Sequence, residues 1–200
     1  MGQGPAFFDV VLRQRACRDF ASDPVPDDDV ARMLEAAVHA PSAENAQPWV
    51  FVVVRDADRR RRITELTRRL WDGGAGDHSR PRLAAGLFAE VDGAFRSGFG
   101  GAPVLVVVAG DGRDPTTRAT LGASVFPAVQ NLLLAATALG YGSALTTLPT
   151  VAAAELRDVV GLPEGLEPMA VVPIGLPARS LGRPRRQPPA AKTHLDRYEA

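Results

Sequence analysis

Charged residues are absent from Ala119 to Ala154, and the rest of the chain is laid out on either side of this stretch. Within it, Gly122 to Gly140 is apolar on nearly every side, a pattern that predicts a long central helix with no wet face. Such a helix is buried partly by its own domain and partly by a second subunit. A membrane span is the alternative. Pro127, Gln130 and Asn131 in mid-segment, the many Ala and Gly, and the lack of flanking basic anchors weigh against it. Gln130 and Asn131 are the anomaly: buried amides need partners, so they brace the core, a neighbouring loop or a ligand.

Elsewhere the pattern resolves into shorter elements. A first helix runs from Pro5 to about Arg15. Asp27-Asp28-Asp29 supplies negative charge for a helix start, and Val30, Met33, Leu34, Ala37 and Val38 follow at helical spacing until Pro41. Trp49–Val54 is a continuous β-branched and aromatic run and predicts a buried strand. A basic helix spans about 57–71, with Ile63, Leu66 and Leu70 inward and its many Arg forming a solvated face. Residues 72–82 read as a loop from their Gly and Asp content, and a weakly patterned helix follows to about residue 96. Pro103–Ala109, Ser143–Thr147 and Met169–Ile174 are further strands. Gly110–Thr117 reads as a loop, and Val151–Val160 as a short helix closed by Gly161. The stretch 178–200 has no core face. Four short strands among five or six helices predict an α/β or α+β sandwich in one domain, residues 1–200.

Composition narrows the classes. Formal net charge is zero, which gives no reason to expect nucleic acid or a membrane surface. Of 23 basic residues only Lys192 is lysine, a bias of GC-rich coding more than of phosphate binding. Cys17 is the single cysteine, so no intrachain disulfide forms and a reducing, cytoplasmic setting is expected. The opening residues lack a signal-peptide core, and Ala6 fills the Ser/Thr position of a myristoylation signal. His39, His78 and His194 form no metal-spacing motif.

Neither a Walker loop nor Gly-x-Gly-x-x-Gly follows any strand, and Ser124 lacks a nucleophile-elbow context. Polar groups gather instead at the ends of apolar elements: Gln14-Arg15-Ala16-Cys17-Arg18, Pro41–Pro48, Thr146-Thr147, and Arg183, Arg185 and Arg186. They offer guanidinium groups for a phosphate and neutral amides and hydroxyls for a heteroaromatic ring. With no general base beside them, a cofactor would carry the chemistry.

Arg15–Phe20, Pro24–Pro26, Ala40–Trp49, Gln130–Ala136 and Val172–Pro177 together resemble the FMN-dependent nitroreductase family, in order and at the usual spacing. The most specific piece is Pro41-Ser-x-x-Asn45-x-Gln47-Pro-Trp49. The resemblance implies an α+β three-layer sandwich: a small mixed sheet flanked by helices, a long central helix, and a homodimer with exchanged C-terminal tails. It implies FMN at the dimer interface and ping-pong chemistry, with NADPH or NADH as donor and a nitroaromatic, quinone or related flat small molecule as acceptor. By motif, Arg15 meets the FMN phosphate, Arg18 the pyrimidine side of the ring, and Pro41, Ser42, Ala43 and Asn45 reach the flavin from the partner. Thr146, Thr147 and Leu148 approach the N5 side, and Arg186 returns to the phosphate. Gln14 and Ala16 stand where the family has Arg and Ser, a loss for which Arg13, Arg183 or Arg185 could compensate. Glu65 is followed four residues on by Arg69, and no Lys precedes Lys192, which speaks against the dehalogenating branch. A pathway-specific flavin reductase or dehydrogenase and a flavin-sequestering protein are the other functions implied, with 72–100 as a lid.

Overall fold

The computed structural model describes residues 6–198. The expected helix start at Pro5, the opening Met-Gly, and the last two positions of the tail lie outside the described residues.

Helix α1 (Phe7–Arg13) leaves most of its apolar side chains open: Phe7 is 67% and Phe8 74% exposed, and only Val10 is buried. Helix α2 (Asp27–Val38) carries its three aspartates in the first turn and buries Val30, Met33 and Ala37. The expected inward Val38 is exposed. Strand β1 (Trp49–Val54) leads into α3 (Ala57–Leu70), which is capped by the Asp56 carboxylate accepting from Arg59 N at 2.9 Å.

Residues 72–82, expected as a loop, are largely helical. A single π-type turn at Trp71–Ala75 passes into α4 (Gly76–Ser79) and a 3₁₀ turn at Arg80–Arg82. Gly76 packs on the Trp71 indole, where a Cβ would stand 3.1 Å away, and Gly74 takes a φ of 125° that suits glycine. Helix α5 (Ala85–Arg96) follows, then the single turn α6 (Gly98–Gly101). All four residues of α6 have positive φ, including Phe99 at 57°, so the turn lies in the left-handed region.

Strand β2 (Val104–Asp111) is buried along nearly its whole length. Helix α7 (Pro115–Ala138) is the central helix, and it begins earlier than the apolar pattern predicts. The cause is a local start signal, Asp114-Pro115: the Asp114 side chain accepts from Thr116 N at 2.7 Å and Thr117 N at 3.0 Å, and proline suits the first helical position. Strand β3 (Gly142–Ser143) is shorter than expected, and Thr146 joins the sheet only by one bridge to Val171. Helix α8 (Ala153–Val160) ends at Gly161 in the left-handed region, and β4 (Leu166–Gly175) is the last strand.

The sheet order is β1-β2-β4-β3, with every named pair antiparallel. The expected mixed sheet is therefore corrected. Parallel pairing among the described residues is one bridge, Ala16 to Ser143. Because side chains alternate across a strand, Val104, Val106 and Val108 face α2 and α7, whereas Leu105 and Val107 face α3 and α8. Both faces are covered, which gives the three layers and explains why these antiparallel strands read as unbroken apolar runs.

Helix α7 has the length and hydropathy of a membrane span, yet Leu121, Val125, Val129 and Leu132 pack in the core between α2 and the sheet. It is not buried all round within one chain. Ala123, Phe126 and Gln130 form an exposed stripe, so Gln130 is not the buried amide the sequence suggested. Asn131 does brace a neighbour, donating from Nδ2 to Ala36 O at 3.1 Å.

Candidate active site

The chain after α1 is extended and held on three sides. Cys17 N donates to Ser143 O at 2.9 Å, Phe20 N to Gly100 O at 2.9 Å, and Ala21 N to Leu176 O at 2.9 Å. The fit depends on small residues. A Cβ on Gly142 would meet Cys17 at 2.6 Å, and one on Gly100 would stand 2.0 Å from Arg18 O. This clamp fixes the backbone that presents Arg15 and Arg18.

Arg18 lies at the junction of two cavities. One, of about 570 Å³, also takes lining from Thr146, Thr147, Leu148 and Trp71. The other, of about 290 Å³, is lined by Arg15, Glu90 and Arg179 as well. Arg179 donates to Glu90 Oε1 at 3.1 Å, and Arg15 donates to Gly182 O at 3.2 Å, so the first residues of the tail lie beside Arg15. Arg13, Arg15 and Arg179 also share a further cavity of about 380 Å³.

Electrostatics single out Arg18. Burial pushes its guanidinium below its ordinary pKa; Glu90 opposes the fall and Arg15 adds to it. Among the described residues no side chain hydrogen-bonds or ion-pairs with this guanidinium. A half-buried cation that Glu90 reaches only through space, with no direct bond among the described residues, is suited to an anionic or electron-rich ligand. Cys17 borders both cavities, but burial pushes its thiol pKa up, which leaves it a neutral side chain and no nucleophile.

The turn after β3 is built for shape. Thr146 exchanges both backbone bonds with Val171, at 3.0 and 2.9 Å, while Thr150 N and Oγ1 both donate to Thr147 O. Leu148 then opens a 3₁₀ turn. These bonds hold Thr146–Leu148 at the cavity edge.

The remaining sequence-derived residues lie elsewhere in the single chain. Pro41, Ser42, Ala43 and Asn45 sit in a separate loop against α7, where Ala43 N donates to Ser124 Oγ at 3.2 Å and Gln47 N to Ser42 Oγ at 3.0 Å. Glu44, Asn45 and Gln47 are all left-handed, with φ of 53°, 56° and 48°. Non-glycine residues held this way cost of order 1–3 kcal/mol each and cluster at ligand sites. This loop lines neither Arg18 cavity. Gln14 is half-buried and also absent from both. Arg183, Arg185 and Arg186 are exposed on the tail, with Arg186 donating to Arg185 O. Sequence reasoning missed Arg179, Glu90 and Trp71. The one local hint was Arg179 itself, two residues beyond the Pro177 that ends the last motif.

Comparison with known proteins matches this arrangement to one family. The profile of the Nitroreductase family covers residues 11–176. An iodotyrosine deiodinase of Thermotoga neapolitana is 31% identical over 174 residues, 85% of this chain and 88% of that protein. A protein of Archaeoglobus fulgidus named NADH dehydrogenase/NAD(P)H nitroreductase is 29% identical over 170 residues, 84% of this chain and 83% of that one. Among solved structures, a nitroreductase-named protein of Desulfovibrio desulfuricans in complex with FMN superposes with a TM-score of 0.74 at 25% identity, covering 98% of this chain and 100% of that one. With the profile spanning the clamp, the Thr146–Leu148 cavity edge and the central helix, the chain belongs to the nitroreductase family.

Proposed function

We propose that this protein is an FMN-dependent NAD(P)H oxidoreductase that reduces nitroaromatic, quinone or related flat acceptors. The observation that carries the reading is Arg18: a half-buried guanidinium with no ion-pair partner among the described residues, lining a cavity whose other walls are mostly apolar. The groups fit the cofactor. Arg15, with Arg13 and Arg179 nearby, supplies cations for its phosphate. Arg179 stands in for the guanidinium and hydroxyl that Gln14 and Ala16 fail to provide. A cavity of about 570 Å³ is of the size that takes flat ligands.

When bound, FMN supplies a two-electron carrier between NAD(P)H and the acceptor. The net reaction with a quinone takes NAD(P)H and one proton and yields NAD(P)⁺ and the hydroquinone. The protein's own part is placement and field. Arg18 puts a poorly hydrated cation where negative charge develops, and such a charge acts more strongly there than in water. Thr146, Thr147 and Leu148 shape the rim, and the apolar lining excludes water.

The site is completed by a second subunit. The exposed stripe on α7 and the open phenylalanines of α1 support a homodimer, since apolar patches of this kind mark interfaces. In it, the strained loop with Pro41, Ser42, Ala43 and Asn45, and the exchanged tail with Arg183, Arg185 and Arg186, would approach the partner's flavin.

Anaerobic mixing of FMN-loaded protein with NADPH and with NADH tests the function. Rapid bleaching of flavin absorbance with at least one donor is expected. No bleaching with either would leave a flavin-sequestering protein.

A further inference from the structure

We infer that Trp71, fixed by Asp92, sets the width of the acceptor cavity and so selects acceptors by ring size. This rests on the oxidoreductase reading above. Trp71 is only 4% exposed, yet it lines the cavity that holds Arg18 and Thr146. It stands at the start of a π-type turn, a local irregularity that recurs at functional sites.

The indole is fixed by several independent contacts. Its Nε1–H donates to Asp92 Oδ1 at 2.8 Å. Phe95 packs on it edge to face, with centroids 5.1 Å apart at 67°, and Phe88 at 5.7 Å and 30°. Gly76 lies against the ring, where a Cβ would stand 3.1 Å from it. Asp92 is itself held, since Arg96 bonds it at 3.0 Å and reaches Asp72 at 3.0 Å. The other lining from this part of the chain is aromatic at Phe95 and Phe99, and small or aliphatic at Ala75, Ser79, Leu83, Val91 and Ala94. Trp71, backed by Phe95, is the bulkiest side chain of this wall, and a rigid wall discriminates by size because adding bulk to a well-packed site forces strain.

Asp92 is then a positioning residue: it orients Trp71 and does not line the cavity. A carboxylate at this position accepts from the indole, and an amide oxygen can do the same. Asp92→Asn therefore preserves the wall and Asp92→Leu releases it.

The experiment measures dissociation constants of benzamide, 2-naphthamide and anthracene-2-carboxamide on FMN-loaded protein by calorimetry. Wild type is expected to bind the three-ring amide worst. Trp71→Ala should shift the ratio of three-ring to one-ring affinity by about tenfold or more, the scale of pocket-size discrimination. Asp92→Leu should shift it the same way and Asp92→Asn should not. Trp71→Phe, which keeps an aromatic wall of smaller size, gives an intermediate ratio and covers the case of an unfolded alanine variant. Unchanged ratios in Trp71→Ala and Trp71→Phe would overturn the proposal. Equal effects of Asp92→Leu and Asp92→Asn would remove the positioning role. Failure of the underlying function shows separately, as wild-type flavin that NADPH and NADH leave oxidised.

Discussion

Substituting Gly100 by alanine tests the connection between fold and site. The new Cβ would lie 2.0 Å from Arg18 O, 2.5 Å from Arg18 C and 2.9 Å from Asp19 N, all backbone atoms that cannot rotate away. Contacts of this kind must open to roughly 3 Å, so the peptide at Arg18 moves by about 1 Å. Left-handed φ costs alanine about 1–2 kcal/mol, and overpacking a further 1–3 kcal/mol. The total loss expected is about 2–5 kcal/mol, a large share of a typical domain's stability. The Phe20–Gly100 bond, 2.9 Å in the native chain, would be strained in the variant as well. Two further variants separate the terms. Gly140 has φ of 89° and nothing within 4 Å, so Gly140→Ala carries the backbone cost alone. Gly93 lies in α5 with nothing within 4 Å, and Gly93→Ala should stabilise by about 0.5–1 kcal/mol. Urea unfolding of all three gives the energies. Stopped-flow reduction of the folded fraction gives the functional effect, since a displacement near 1 Å can slow chemistry by about 100-fold. If Gly100→Ala proves no less stable than Gly140→Ala, and flavin reduction is unchanged, the clamp does not position Arg18.

Arg18→Ala should slow flavin reduction by NAD(P)H more than it weakens FMN binding; lost affinity with an unchanged rate would assign Arg18 to binding alone. Tyr141 Oη donates to Asp29 Oδ2 at 2.7 Å, so Tyr141→Phe should cost about 1–2 kcal/mol in denaturant unfolding. Burial, then the bond to Asp29, raises this phenol above its ordinary 10.0. The stability it contributes is complete below that value and is lost as pH rises through the higher folded value. Wild type should show this alkaline limb, and Tyr141→Phe should lack it. Truncation after Gly182 leaves the Arg179–Glu90 and Arg15–Gly182 contacts intact and should still lower both dimer stability and FMN content; light scattering and flavin absorbance of an undiminished, flavin-loaded dimer would return the tail to an incidental role.

How much the sequence disclosed depended on the range of the interaction. β1, β2, α2 and α3 are legible because their apolar spacing reports burial residue by residue. The central helix was legible in kind, but its start was hidden in a polar stretch where one capped proline, Pro115, outweighs composition. Gly73, Gly74 and Gly76 read as a loop because the side chain that Gly76 packs against, Trp71, makes its bond to an aspartate 21 residues away. Gln130 is exposed although its segment is uniformly apolar, because uniform apolarity describes a face awaiting a partner as well as a buried one. Strand direction was beyond local pattern, since a strand buried on both faces looks the same in either sense. At the site, Arg15, Arg18 and Thr146 were legible through motif order. Arg179 was not, because it meets Glu90 across 89 residues of chain.

The antiparallel neighbours β1 and β2 could have been joined by a turn of two residues. Instead residues 55–103 intervene, and they include α3, α4, α5, α6 and Trp71. The six paired positions from Trp49–Gly110 to Val54–Leu105 fix the ladder independently of this excursion. Doubling the length of a flexible connection costs only about 0.6 kcal/mol in closure entropy. The stretch between α3 and α6 is thus an exchangeable cassette: a descendant could graft a longer or differently lined insert there and recognise a new molecule, so long as Gly100 is kept to close the clamp that presents the cations.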